Sequence, residues 1–270
     1  MNLEAFSPAD LLRWLMSAVL ALVGGLTLLR PCQFAAVCLH VPTRGLSPGD
    51  AARVEAAARR RKTLENIPAT YDIAVGFAWL AASAACAAGA GAPALCYAAA
   101  SLATASGMAA AYLRLRAVSA KRVAALNART ALGVVPWYWF AAAAATALVA
   151  LVSSELRAPG WAGFLVCASA LTSAWLAWRV ATMPALLGGD DLPAERFVDE
   201  NLRFGRATAV LLFAFVQVFV FVMFESGTVH TWHGDARGNA YVSWGVALAW
   251  LAFSVWTILR KVRPQRVALP

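Results

Sequence analysis

Seven stretches of this chain stay apolar for about 20 residues, the length a helix needs to cross a bilayer core. They fall at about 10–29, 72–89, 93–113, 135–154, 160–179, 207–225 and 240–259. The second is short and alanine-rich. The turn Gly89-Ala90-Gly91-Ala92-Pro93 splits what would otherwise be one long apolar run, so residues 72–113 predict a helical hairpin. Spanning strands would alternate apolar and polar residues. Runs such as Phe140-Ala141-Ala142-Ala143-Ala144-Ala145 do not alternate, and alanine favours helix. In lipid the backbone must satisfy its own hydrogen bonds, so the expected class is all-α integral membrane with seven transmembrane helices. Composition agrees: 61% of residues are hydrophobic and 14% charged, against about 45–50% and about 25% in soluble domains. A soluble enzyme or nucleic-acid-binding protein is excluded, despite the net charge of +9.

The basic residues orient the chain. The segment 30–71 carries Arg30, Arg44, Arg53, Arg59, Arg60, Arg61 and Lys62; segment 114–134 carries Arg114, Arg116, Lys121, Arg122 and Arg129. Segment 179–206 adds Arg179, Arg196, Arg203 and Arg206, and the tail adds Arg260, Lys261, Arg263 and Arg266. Twenty of the 23 basic residues thus share one side, with only Arg157 and Arg237 in opposing loops. The N-terminus is expected outside and the C-terminus inside. The first span lacks Lys or Arg before Arg13 and is too long for a signal peptide, so it reads as a retained anchor. Trp14, Trp161 and Trp244 near outer ends, and Trp175, Trp178 and Trp256 near inner ends, form an aromatic belt. The bacterial inner membrane, the endoplasmic reticulum and the mitochondrial inner membrane fit equally.

Cys32, Cys38, Cys86, Cys96 and Cys167 show no zinc-type spacing, and no structural disulfide is expected. His230, His233 and Asp235 share an outer loop whose polar residues are expected simply to be exposed, so no metal site is expected. No span contains a histidine or lysine, which excludes bis-histidine haem and a retinal-type Schiff base. Gln217 lies mid-span, where a hydrogen bond to a neighbouring helix is the expected role. No span carries the acidic or basic relay of an ion-coupled pump, so a small transporter is the weakest of the functional alternatives.

The first inner segment is the most informative. Ser47-Pro48-Gly49-Asp50 predicts a helix start, and a basic helix continues towards the second span. Arg61 and Glu65, four residues apart, can pair on one face. Glu65 just before the apolar run is costly unless paired or wet. Residues 50–68 read DAARVEAAARRRKTLENIP, and Ala111-Tyr112-Leu113 is trailed by Arg116, Lys121 and Arg122.

These strings resemble the MAPEG family, the membrane-associated proteins in eicosanoid and glutathione metabolism. Its members have four helices, an outward N-terminus, a long inner first loop and a Glu-Arg-x-x-Arg-Ala-x-x-Asn-x-x-Glu motif followed closely by proline. Leu64-Glu65-Asn66-Ile67-Pro68 is similar to the microsomal glutathione transferase branch, and the likeness covers about residues 10–154. The resemblance implies a four-helix bundle and a glutathione-dependent transferase or peroxidase acting on lipophilic substrates that arrive through the bilayer. Arg61, Lys62, Glu65 and Lys121 would bind glutathione as cofactor, with Tyr112 and Arg116 catalytic; cations there would favour the nucleophilic thiolate. It also implies a homo-oligomer. Three positions depart from the pattern: Lys62 stands where the family has Asn, and Ala58 and Ala105 where it has Arg. Those departures favour the alternative, a non-catalytic MAPEG-fold scaffold or lipid-binding subunit of a larger membrane complex.

The second half echoes the first. Leu192-Pro193-Ala194-Glu195-Arg196 through Asp199-Glu200-Asn201-Leu202-Arg203 looks like a worn copy of the same loop, leading into the sixth span. Residues 1–155 then form a MAPEG-like four-helix unit and residues 156–270 a partial three-helix repeat. Positive-inside selection alone would also place arginine at each inner end.

Overall fold

The computed structural model describes residues 8–29, 41, 43, 45–65, 69–90, 92–118, 135–155, 161–183 and 191–232. Their regular structure is entirely helical: α1 (Pro8–Leu29), α2 (Pro48–Glu65), α3 (Thr70–Ala87), α4 (Pro93–Val118), α5 (Trp137–Glu155), α6 (Trp161–Ala181) and α7 (Leu192–Trp232). Among the described residues, four segments are long and apolar enough to cross a membrane: Thr70–Ala87, Pro93–Arg116, Trp161–Ala181 and Leu192–Val222. The apolar part of α1, Arg13–Leu29, is shorter. The expected span at 240–259 lies outside the described residues, as do Cys32, Cys38, His40, His233 and Asp235.

Local chemistry sets the helix ends. Ser47 Oγ accepts a hydrogen bond from the Asp50 backbone N–H at 3.2 Å, capping α2 as the sequence predicts. Pro48, Pro93 and Pro193 occupy first turns, where their missing N–H costs nothing. Gly89 ends α3 at φ +70°, with its N–H on the Cys86 carbonyl (3.1 Å) and that of Ala90 on Ala85 (3.0 Å). This Schellman closure needs the left-handed conformation that glycine adopts freely. It produces the expected hairpin.

One helix is longer than the hydropathy pattern suggests. Residues 192–206, expected as part of a loop, are the first turns of the 41-residue α7. Asp191 Oδ1 accepts from the Ala194 N–H at 3.2 Å and starts the helix there. No proline follows Pro193 in the helix, so nothing stops it before the apolar segment. At about 1.5 Å per residue α7 runs roughly 60 Å, twice a hydrocarbon core.

α1 packs on α3, α3 on α4, α4 on α6, and α5, α6 and α7 on one another, while α2 lies against α7. α1 and α3 cross closely: a Cβ on Gly24 would stand 2.9 Å from the Gly76 carbonyl oxygen. Ser17 Oγ reaches the Ser83 carbonyl at 3.0 Å, and Ser83 Oγ donates to the Ser17 carbonyl at 2.8 Å. The step of seven from Ser17 to Gly24 matches the step from Gly76 to Ser83 in the opposite direction, so the antiparallel pair is in register.

The core forms three layers along α7. One joins Met16, Trp79, Cys86, Tyr97, Val166 and Phe221; the next joins Met108, Tyr112, Trp139, Leu176, Leu211 and Phe215. The third joins Val54 of α2 to Ala194, Val198 and Leu202. Residues from both sides of position 155 share the first two layers. Between helices, Ser169 Oγ lies 2.6 Å from Gln217 Oε1, the inter-helix role expected of Gln217. Outward-facing large apolar residues such as Leu22, Leu26, Trp161, Phe164 and Leu171 give the bundle an oily perimeter. Such a surface is costly in water.

Candidate functional site

α2 and the first turns of α7 are joined by charges. Arg53 grips Asp191 with two bonds, Nε to Oδ2 at 2.6 Å and Nη2 to Oδ1 at 2.9 Å. Arg61 Nη2 donates to Asp199 Oδ1 at 2.9 Å. Both partners advance by eight residues from the first pair to the second, so the two helices run parallel. Arg60 reaches Glu195 at 3.6 Å between them.

The far end of this ladder is buried. Arg61 Nε donates to Glu65 Oε1 at 2.6 Å, the pairing that the four-residue spacing predicts. Arg206 donates to both Glu65 oxygens, at 3.2 Å to Oε1 and through Nη2 to Oε2. Arg203 pairs with Asp199 from one turn along α7. Glu65 is 4% exposed, Arg61 6%, Arg203 4% and Asp199 0%, so two guanidiniums and two carboxylates are desolvated, with the partly exposed Arg206 closing the network. Charges survive such burial only when paired in good geometry.

The electrostatics follow. Burial alone would raise the Glu65 carboxyl, but Arg206 and Arg61 together outweigh it and hold it below the usual carboxylate range. The hydrogen bonds from Arg53 and the Ala194 N–H hold Asp191 low as well. The Arg53 guanidinium is pushed up, mainly by its hydrogen bond and charge interaction with Asp191.

The residues singled out in the sequence part company here. Arg61 and Glu65 meet in the network. Lys62, next in sequence, is exposed on α2. Tyr112 is buried in the middle core layer, edge-on to Trp175 with ring centroids 6.4 Å apart. Arg116 is exposed near the end of α4. Lys121 lies outside the described residues. Asp199, Arg203 and Arg206 were not singled out for the site. The available signal was Asp199-x-x-x-Arg203, which reverses the charge order of Arg61-x-x-x-Glu65.

Chemically, the network binds helix to helix. A carboxylate-bearing ligand would have to displace Asp199 or Glu65 from guanidiniums they already occupy. The chain matches no family model, no curated protein and no solved structure.

Proposed function

We propose that this is a MAPEG-like multi-pass membrane protein with seven spans, its N-terminus outside and C-terminus inside. In this reading it is a non-catalytic scaffold or lipid-binding subunit of a larger membrane complex, and its loop motif clamps helices instead of holding glutathione. The observation that carries the reading is the engagement of Arg61 and Glu65 by Asp199 and Arg206 in a buried network. The oily perimeter supplies the surface for lipids or membrane partners. The parallel pairing of α2 with the start of α7 supports the repeat, with residues 1–155 as the first unit and 156–270 as the second. A two-fold axis along the bundle would set equivalent lead-in helices side by side in this way.

A second reading is a glutathione-dependent transferase or peroxidase working as a homo-oligomer on lipophilic substrates. It is favoured by exposed Lys62 and Arg116, cations at the ends of α2 and α4 where the charged network also lies. Titrating the purified protein with glutathione and following thermal unfolding separates the two. A ligand at ten times its dissociation constant stabilises by about 1.4 kcal/mol. The scaffold reading predicts an unchanged midpoint through millimolar glutathione. A saturable upward shift, lost in Lys62→Ala or Arg116→Ala, would establish the second reading instead.

A further inference from the structure

Far from the ionic network, the other end of the bundle brings two thiols together. Cys86 lies in the last turn of α3 and Cys96 in the first turn of α4, on either side of the Gly89 closure. Both side chains belong to the same core layer and lie in hydrogen-bonding contact with each other. Cys86 Sγ also reaches the Arg13 carbonyl of α1 at 3.7 Å. The Arg13 guanidinium lies over the hairpin turn, 3.4 Å from where a Gly89 Cβ would stand. Arg13 Nε is buried there without a hydrogen-bond partner, while Nη1 reaches Asp10 at 3.7 Å. The turn residues Ala88, Gly89, Ala90 and Ala92 are exposed, so the sulfurs sit just beneath the surface. The basic-residue distribution puts this end outside, where disulfides persist.

We infer that Cys86 and Cys96 are a redox-active dithiol that closes to a disulfide across the α3–α4 hairpin. The oxidant is a small disulfide. Cys96, 8% exposed against 0% for Cys86, is the more reachable and attacks first as the thiolate. The donor's S–S bond breaks, a mixed disulfide forms on Cys96, and the first donor thiolate leaves and takes up a proton. The Cys86 thiolate then attacks the Cys96 sulfur. The Cys86–Cys96 bond forms and the second donor thiol departs. Two electrons pass from the two cysteines to the donor, and the two cysteine protons end on the released thiols.

The test uses the full-length chain carrying Cys32→Ser, Cys38→Ser and Cys167→Ser, in membranes, treated with hydroxyethyl disulfide and read by intact mass. The expected product has lost two hydrogens, carries no adduct, stays monomeric and regains both hydrogens with dithiothreitol. Adding Cys86→Ser should stop the reaction at a hydroxyethylthio adduct on Cys96. A two-cysteine protein that also stops at an adduct, does not react while folded, or forms only intermolecular disulfides overturns the inference. Peptide mapping of the oxidised natural chain guards against a folding defect in the variant. A linked Cys86–Cys96 peptide is expected there, and its absence is equally fatal.

Discussion

Glu65 accepts from two arginines on different helices, and Asp199 likewise pairs with Arg61 and Arg203. Removing one member of such a set leaves a buried charge uncompensated. Asp199→Asn and Arg206→Met should each destabilise the protein by about 3–5 kcal/mol. Arg59→Ala breaks only the exposed 3.3 Å pair with Glu55 and should change stability by no more than about 1 kcal/mol. Thermal or denaturant unfolding in detergent reads all three. The pH dependence has a definite sign. The folded-state carboxyl of Glu65 is depressed, so its contribution is fully present above the usual glutamate range. It is lost as pH falls through the depressed folded value. Unfolding midpoints should therefore drop on acidification below the ordinary carboxylate range, and Glu65→Gln should flatten that drop. The Arg61–Glu65 pair was legible because a four-residue spacing is local. The contact between Arg61 and Asp199 was not, because 138 residues separate them and only tertiary packing joins them.

At the scale of elements, most helices follow from apolar length and punctuation. Gly89 ends α3 and Pro93 starts α4, which the sequence marks openly. The start of α7 was harder to see, because residues 192–206 are polar enough to read as a loop until α2 gives their apolar residues something to cover. Close approach was also hidden. Gly24 and Gly25 look alike in sequence, yet a Cβ on Gly24 meets backbone at 2.9 Å while one on Gly25 meets nothing within 4 Å. Gly24→Ala should therefore cost about 1–3 kcal/mol through overpacking. Gly25→Ala should be neutral or slightly stabilising, since alanine is the better helix former. Comparing the two unfolding midpoints checks whether α1 and α3 cross as described.

For the molecule as a whole, the described part of the apolar surplus resolves into a bundle with an oily perimeter, and the described basic residues of α2 and the start of α7 gather at one end of it. Much of that was legible in hydropathy and charge placement alone. What stayed illegible was the use made of the basic surplus. Within the motif that resembles a cofactor cradle, Arg61 pairs with Glu65 of its own helix and with Asp199 of α7. The proposed orientation predicts that protease added outside sealed right-side-out vesicles trims the N-terminus and spares the C-terminal tail. Buried charge pairing clamps α2 to α7, and a double-mutant cycle on Glu65→Gln and Arg206→Met measures that clamp. Unfolding free energies of the wild type, the two single variants and the double variant should give a favourable coupling of about 1–3 kcal/mol. Strictly additive effects would contradict the clamp.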